Sequence, residues 1–422
     1  EAGIVVKAVA GGGGRGLRRI VRAEQIEAAI ARARSEARAA FGDDAIYFER
    51  AMPAARHLEV QVVGDGNDVR DLGERECSLQ RNHQKVVEMA PSPGLAPALR
   101  AELIAHATRM AQRLRVHGLV TFEFLLSPSG ETAFIEANPR LQVEHTVTEA
   151  VTGIDLVAVQ LQLASGAHLA DVDLGPDAVV AVRGQALQLR INLESMTREG
   201  SAHPAGGTLV RFEMPSGPGI RVDTYGYAGY TTNPSFDSLI AKVIAWSPSQ
   251  RFADVLARAQ RALAEVRIEG SASNVSFLQR LLAHPDVVAH RVDVGWIERH
   301  AEAWVELAEP VASSANVGAQ VDPGDPLAVL AHGRRSLGSS QRPGESFEAD
   351  AKDVVVEAPL QGTVVEVSVA DGTEVVHGQE LLILEARKME HVVVAPLAGT
   401  VSGIGVRRGD TIRAGHPLLK LT

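Results

Sequence analysis

Cys77 is the only cysteine in 422 residues, which excludes an internal disulfide framework and fits a reducing compartment. Aromatic residues make up only 4%, so any core must be built mainly from aliphatic side chains. No uninterrupted apolar run is long enough to cross a bilayer, and no charged-then-apolar signal segment opens the chain. No membrane partner and a cytoplasmic location are therefore expected. A basic excess is missing too: the formal net charge is −10, which argues against nucleic acid, whose phosphates need a positive surface. Lysine is scarce, since of 42 basic residues only Lys7, Lys85, Lys242, Lys352, Lys388 and Lys420 are lysine. In a chain that prefers arginine this strongly, a lysine marks a position that needs a compact charge or a primary amine. An initiator methionine is also lacking, and the chain opens close to a strand, which suggests a piece of something longer.

The length gives room for two or three domains, and the densest chemistry lies in Phe134-Ile135-Glu136-Ala137-Asn138-Pro139-Arg140-Leu141-Gln142-Val143-Glu144-His145. Ala133 to Ile135 reads as a buried strand after the Gly130 turn, and Glu136 and Asn138 project to one side of it. Upstream, Leu119-Val120-Thr121-Phe122-Glu123-Phe124-Leu125-Leu126 is a second apolar strand with one carboxylate in its middle. A hairpin brings Glu123 beside Glu136. Two buried carboxylates side by side repel, so their pKa values split or a cation neutralises them. Asn138 adds a third hard oxygen, and magnesium suits such a donor set.

Toward the amino terminus, the strand-like Ile4-Val5-Val6-Lys7-Ala8 precedes Gly11-Gly12-Gly13-Gly14-Arg15-Gly16. Consecutive glycines let a backbone approach polyphosphate closely. The loop joins strand to strand, which makes it a flap over phosphates with Lys7 and Arg15 as counter-charges. Arg22 to Ala40 reads as a helix behind it. Arg56 to Val63 alternates polar and apolar, which predicts a half-buried strand with His57, Glu59 and Gln61 on one face. The block from Glu74 to Lys85 is denser in polar function than a solvated loop requires, and Cys77 within it reads as a core thiol. Pro97 to Val116 is a helix opened by proline; Phe252 to Val266 and Asn274 to Ala283 are amphipathic helices. From Trp296 the composition turns linker-like, with a short strand pair expected near Leu327 to Leu330.

The last segment repeats itself. Ala358-Pro359-Leu360, Gly362-Thr363-Val364, Val369, Gly372, Gly378, Leu381, Leu382 and Leu384 recur 37 residues later as Ala395-Pro396-Leu397, Gly399-Thr400-Val401, Val406, Gly409, Gly415, Leu418, Leu419 and Leu421. Two such units, each too small to bury its own face, pair about a pseudo-twofold axis into a flattened β-barrel. Glu385-Ala386-Arg387-Lys388-Met389-Glu390 is then the turn between the copies, and Lys388 a candidate for modification.

These motifs resemble a known family. Lys7 with the glycine loop, the Glu74 to Lys85 block, Thr121-Phe122-Glu123-Phe124, Glu136 through His145, and Gln188-Leu189-Arg190-Ile191-Asn192 stand in the order seen in biotin carboxylases. Those enzymes are ATP-grasp ligases, and the resemblance covers about residues 1 to 295. It implies that Lys7, Gly13 and Gly14 hold ATP phosphates, while Glu49, Arg50, Ala51, Met52, His57, Gln80 and His83 surround the adenosine. Glu123, Glu136 and Asn138 would carry magnesium or manganese at the ATP. Lys85, Arg140, Gln142 and the Val143 backbone would hold bicarbonate, Glu144 would take its proton, and Arg190 would face the biotin ring. Lys85, Arg140, Glu144 and Arg190 thus form the expected catalytic set. Family members begin with a further domain bearing another ATP lysine that is not found in this sequence, so weak or no turnover is expected of this chain alone. The carboxyl-terminal segment resembles biotinyl carrier domains, whose modified lysine sits in Glu-Ala-Met-Lys-Met. Met389 follows Lys388 as in that motif, whereas Arg387 replaces the first methionine. Lipoyl domains share the fold but usually place alanine after the lysine, so Met389 favours biotin.

The resulting expectation is an α+β chain. Residues 1–52 form the ATP-grasp flap, 53–295 a mixed-sheet carboxylase domain, 296–353 a linker, and 354–422 a flattened β-barrel biotinyl domain. The resemblance implies biotin carboxylation for transfer to an acyl-CoA, with a carboxyltransferase domain or subunit, a biotin protein ligase and a second copy of the chain as partners. A pyruvate or urea carboxylase component, a non-catalytic carrier scaffold, and an ATP-grasp ligase with a lipoyl carrier are the alternatives.

Overall fold

The structure is a computed structural model that describes residues 3–11, 16–81, 84–196, 202–233, 236–300, 304, 354–386, 389–413 and 415–422. Gly13, Gly14, His83 and Lys388 lie outside the described residues, as does the strand pair expected near residues 327–330.

The flap is a three-stranded antiparallel sheet of β1 (Ile4–Ala8), β2 (Arg18–Ile20) and β3 (Ile46–Arg50), with β1 in the centre. Helix α1 (Ile26–Phe41) covers it by packing Ala29 and Ala33 against Val6 and Ile20. It ends at Gly42, whose φ of 75° is the left-handed turn that glycine adopts without penalty.

The body follows as β4 (Arg56–Asp65), β5 (Val69–Arg81), β6 (Gln84–Ala90), α2 (Pro97–Leu114), β7 (His117–Leu126), β8 (Thr132–Asn138), α3 (His145–Thr152) and α4 (Leu156–Ala164). After these come β9 (Gln185–Asn192), the short β10 (Glu194–Met196), β11 (Ala202–Pro204) and β12 (Arg211–Glu213), then β13 (Ile220–Thr224) and β14 (Leu239–Ser247). Helix α5 (Phe252–Glu265), β15 (Arg267–Glu269), α6 (Val275–Ala283), α7 (Pro285–Val288) and α8 (Trp296–Arg299) close it. Eight strands form one sheet in the order β13-β14-β9-β6-β5-β4-β7-β8. Every neighbouring pair in it is antiparallel, where a mixed sheet was expected.

Strand alternation divides this sheet chemically. Leu58, Val60 and Val62 of β4 and Val120, Phe122 and Phe124 of β7 turn to α2, which meets them with Leu103, Ala107 and Ala111 at helical spacing. The opposite face carries His57, Glu59, Gln61, Thr121 and Glu123. That polar face is buried as well; Arg75 of β5 bridges Gln61 of β4 to Thr148 of α3, which packs across β5, β6, β9 and β14. β4 is therefore not the half-buried strand its alternation predicts. The strand of Ala133 to Ile135 departs in the other direction. β8 is the edge of the sheet, and Phe134 is 48% exposed. At the far end, Trp296, Ile297 and Trp304 join the core formed by β9, β14, α5 and α6. Trp296, from which linker-like composition was expected, is thus part of the body's core.

The carrier comprises β16 (Val354–Glu357), β17 (Gly362–Val367), β18 (Glu374–Val375), β19 (Glu380–Ala386), β20 (Met389–Val394), β21 (Gly399–Ser402), β22 (Thr411–Ile412) and β23 (Pro417–Leu421). Its two sheets run β16-β23-β21-β18 and β20-β19-β17-β22. Replacing each strand by its counterpart in the other repeat converts one order into the other, which is what a pseudo-twofold pairing requires. Leu360, Leu381, Leu384, Leu418 and Leu421 fill the space between the sheets. β19 and β20 pair Ala386 with Met389.

One buried ionic network ties the last helices to the sheet. Glu76 of β5 receives Arg56 through two nitrogens, with hydroxyls of Ser78 and Ser92, and His290 Nε2 lies 3.1 Å away. Burial alone would raise the Glu76 pKa, but His290 and Arg56 outweigh it and bring it down to about 2 from 4.5. A carboxyl depressed in the folded state contributes stability that is complete above 4.5 and is lost as pH falls toward 2. Denaturant unfolding at stepped pH should show that loss, and Glu76→Gln should flatten it; identical slopes for the two proteins would contradict the assignment.

Candidate active site

The sheet places the predicted residues on its buried polar face. Glu123 and Glu136 are directly opposite in the β7–β8 register, as the hairpin requires. The Asn138 amide donates to Glu123 Oε1 at 3.0 Å and to Glu136 Oε1 at 2.9 Å. Rotating that amide by half a turn would present its oxygen instead, leaving two carboxylates and a carbonyl oxygen on one side of the hairpin. This hard-oxygen set fits magnesium.

Lys85 of β6 lies at the centre. Its Nζ donates to Glu59 Oε2 at 2.6 Å, Glu144 Oε1 at 2.6 Å and Glu123 Oε1 at 3.2 Å. Burial would lower its pKa, but Glu59 and Glu144 more than reverse this and raise it well above the ordinary value. Glu123 is pushed up by burial and more strongly down by Lys85 and His57, to about 2. His57 Nε2 lies 2.7 Å from Glu123 Oε2 while Gln80 Nε2 meets its Nδ1.

Glu144 stands at the start of α3 and is held between two cations, Lys85 on Oε1 and Arg190 Nη2 at 3.0 Å on Oε2. Burial alone would raise its pKa; Lys85, Arg190 and Arg75 together hold the carboxyl far below the usual carboxylate range. Arg190 of β9 also donates through Nε to Glu88, whose own pKa is raised by burial against the pull of Arg190. Val143 accepts from Lys242 Nζ at 3.1 Å through its backbone oxygen, and Gln142 is buried beside it.

The flap meets the edge of this face. Lys7 Nζ donates to Glu49 Oε1 at 3.3 Å and to the Ile135 carbonyl at 3.4 Å, and Arg50 pairs with Glu131. Ala51 is buried and Met52 half-buried where the chain leaves the flap. Arg140 is not drawn into the cluster: it is exposed, and its Nη1 donates to the Leu141 carbonyl next to it. A cavity of about 610 Å3 is lined by Glu149, Ile154, Arg221, Ile244 and Trp246 among others and contains none of the predicted residues.

Four participants carried no role in the sequence reading. Arg75 is fully buried and spends its donors on Glu59, Gln61, Thr148 and Thr121. Glu59, Glu88 and Lys242 complete the set. Their signals were partial: Glu59 shares the polar alternation of β4, Arg75 lies inside the dense Glu74 to Lys85 block, and Lys242 is one of six lysines. Cys77 is a fully buried thiol, pushed well above its ordinary pKa by burial and by Glu59, which leaves it protonated and poorly nucleophilic.

A three-stranded flap beside a carboxylate-lined antiparallel sheet, followed by a pseudo-twofold β domain, fits the class of ATP-grasp ligases joined to a carrier domain. Residues 2–172 match the carbamoyl-phosphate synthase L chain ATP-binding domain, 188–299 the biotin carboxylase C-terminal domain, and 354–421 the biotin-requiring enzyme domain. The biotin-dependent acyl-coenzyme A carboxylase alpha3 subunit of Mycobacterium leprae is 36% identical over 420 residues, covering 92% of this chain and 68% of that one. Pyruvate carboxylase 1 of Caenorhabditis elegans is 42% identical over 302 residues, 71% of this chain but 25% of its own length. A solved single-chain, multi-domain long-chain acyl-CoA carboxylase superposes with a TM-score of 0.62 at 34% identity, over 100% of this chain and 36% of that one. The chain belongs to the biotin-dependent carboxylases, as a biotin carboxylase joined to a biotinyl domain, and spans a quarter to about two thirds of the relatives compared.

The buried pairing predicts unequal costs. Glu59→Gln leaves the Arg75 guanidinium buried without its counter-charge and should destabilise the body by roughly 3–5 kcal/mol. Arg140→Ala, at an exposed position, should stay within about 0.5 kcal/mol. Urea unfolding midpoints compare the two directly, and equal shifts would show that Arg75 does not depend on Glu59.

Proposed function

We propose that this chain uses ATP and bicarbonate to carboxylate a biotin carried on Lys388, for transfer by a carboxyltransferase to an acyl-CoA. The observation that carries the reading is Glu144 held ionised between Lys85 and Arg190, on the same face as the Glu123–Glu136–Asn138 set. Bicarbonate is a weak nucleophile until deprotonated, so a base must act next to cations that accept the new charge. Glu144 supplies the base. As its carboxylate takes the proton it releases Lys85 and Arg190, and the two cations transfer to the carbonate dianion. The low pKa of Glu144 thus reflects cations that stabilise whichever partner is charged.

The carbonate oxygen forms a bond to the terminal phosphorus while the bond to the ADP oxygen breaks, giving carboxyphosphate and ADP. Glu123, Glu136 and Asn138 would hold magnesium, which neutralises charge on the transferring phosphoryl group. Lys7 in the flap and the backbone amides of its glycine loop, with Gly13 and Gly14, hold the phosphates. Glu49, Arg50, Ala51, Met52, His57, Gln80 and His83 line the nucleotide, and Gln142, the Val143 backbone and Arg140 border the bicarbonate. Biotin, when attached, would supply a ureido nitrogen that receives the carboxyl group as the C–O bond of carboxyphosphate breaks, with phosphate as leaving group and acceptor of the ureido proton. Arg190 would face its ureido oxygen with a fixed guanidinium, a suitable partner for negative charge there. A cytoplasmic setting, a biotin protein ligase and self-association complete the proposal.

Acyl-CoA is favoured over pyruvate because similarity to the acyl-CoA carboxylase subunit runs through body and carrier, over 92% of the chain, whereas similarity to the pyruvate carboxylase covers 71%. Bicarbonate-dependent ADP release with free biotin tests the activity in the full-length protein. Glu144→Gln should lower it about 10²- to 10⁴-fold, the range for loss of a general base, with nucleotide affinity retained in calorimetry. Release that ignores bicarbonate, or survives that substitution, would refute the scheme.

Attachment is tested separately. Co-expression with a biotin ligase should add the mass of one biotin, lost in Lys388→Arg. Arg387→Met should raise occupancy if the arginine hinders the ligase. A lipoyl adduct, or biotin retained in Lys388→Arg, would displace the assignment.

A further inference from the structure

The two copies of the carrier repeat share their Ala-Pro-Leu and Gly-Thr-Val signatures but differ at the residue between them. Ala358-Pro359-Leu360-Gln361-Gly362 corresponds to Ala395-Pro396-Leu397-Ala398-Gly399, so glutamine in one copy stands where the other has alanine. Their surroundings differ accordingly: Gln361 is only 7% exposed and Leu360 1%, whereas Ala398 is exposed and Leu397 is 38% exposed. Glutamine at a turn of so small a domain is ordinarily exposed, and its burial here calls for a cover.

What covers it is the body. Gln361 enters a cleft formed by Leu193, Tyr225, Tyr230, Thr232 and Phe236, which leaves about 10 Å3 unfilled, no more than a single water needs. A β-carbon at Gly206 would lie 3.0 Å from Gln361 Oε1 and 3.1 Å from Thr232 Oγ1; the absent side chain makes room for the glutamine. The wall is braced independently of the carrier. Gly207 donates to Thr232 Oγ1 at 2.9 Å, and the Thr232 amide donates back to the Gly207 carbonyl at 3.0 Å. Tyr225 and Tyr230 meet edge to face at 5.6 Å. A second contact comes from the modification hairpin: His391 of β20 lies edge-on to His203 of β11, with ring centres 6.3 Å apart.

The place of this cleft relative to the chemistry follows from the strands. Arg190 of β9 is paired with Lys242 of β14, and two residues along the same ladder Asn192 is paired with Leu239. Leu193, the next residue, donates to the Ser238 carbonyl and lines the cleft. The cleft is thus the continuation of the two strands that present Arg190, roughly 10 Å farther along at the rise of an extended chain.

We propose that this cleft is the seat that receives the biotinyl domain during biotin carboxylation, with Gln361 and His391 as its docking side chains; the assignment rests on the function proposed above. One glutamine and one ring pair form a small contact, as suits a carrier that must leave to deliver its group. The absence of the glutamine in the second repeat makes docking one-sided, so only one orientation of a pseudo-symmetric domain is seated and the hairpin faces the carboxylase.

The full chain bearing His203→Cys and His391→Cys, treated with a short bis-maleimide, should form an intramolecular cross-link at least tenfold faster than a His203→Cys/Arg407→Cys control, since Arg407 is exposed at another part of the carrier. The native thiol Cys77 is buried and should not compete. Equal rates would overturn the seat. Gln361→Arg should slow the transfer of radiolabelled bicarbonate to protein-bound biotin about tenfold, as expected for one lost buried contact, with carboxylation of free biotin unchanged. Unchanged transfer to the protein-bound biotin would overturn the proposal. Both transfer assays use the full-length protein; its failure, when unaltered, to carboxylate free biotin would instead count against the catalytic reading, and the cross-link rates would still decide the seat.

Discussion

A single buried ammonium organises the centre of this molecule. Lys85 joins Glu59 of β4, Glu123 of β7 and Glu144 at the start of α3, three carboxylates that would repel one another strongly in a space of low polarity. Their mutual distances are tolerable only because one compact cation sits among them. Arginine could not substitute freely, since its planar fork suits two carboxylate oxygens in one plane better than three acceptors around a point. The scarcity of lysine in the chain is consistent with that requirement.

From this ammonium the network runs outward through pairs that orient one another. Glu59 is shared with Arg75, whose other donors fix Gln61, Thr121 and Thr148, so α3 is locked to the sheet by the group that steadies Lys85. Glu144 is shared with Arg190, and Arg190 with Glu88. Every member is held by a residue on another strand, which fixes the groups before any substrate arrives and spares the reaction the reorganisation that loose side chains would need. The cost is a set of buried charges that stabilise the fold little and collapse if one partner is removed.

What was legible in the sequence was local. The β7–β8 hairpin could be read because an apolar run, a glycine turn and a second apolar run lie consecutively, so alternation alone puts Glu123 opposite Glu136. The repeat gave the carrier for the same reason. Contacts across the sheet order were not legible: Lys85 reaches Glu59 over the intervening β5, and nothing in the alternation of β4 says which strands lie beside it. The burial of the β4 polar face had the same origin, because Glu59 and Gln61 are enclosed with Arg75 of β5, itself tied to Thr148 of α3, far on in the sequence. Conversely, the apolar Ala133 to Ile135 looked buried, yet the strand falls at the sheet edge, where Phe134 keeps one face on Phe122 and Phe124 and leaves the other in solvent. Arg140 has the right charge and neighbours in sequence, but its turn carries it outward.

The charge balance of the pocket explains why an acidic chain can serve anionic substrates. Glu59, Glu88, Glu123, Glu136 and Glu144 are linked through hydrogen bonds to only three permanently charged cations, Arg75, Lys85 and Arg190. Burial raises the Glu88 pKa and so tends to remove one of these negative charges, but Glu136 and Glu123 still face each other without a cation of their own beyond the share of Lys85. A divalent ion at that hairpin converts a local excess of negative charge into an excess of positive charge, and the phosphates then bind where they would otherwise be repelled. Under the proposed function, metal and nucleotide would be coupled by electrostatics, each weak at this face without the other. Bicarbonate would be spared that dependence, because the cations proposed for it, Lys85 and Arg190, come with a carboxylate that would give up its own charge on receiving the proton.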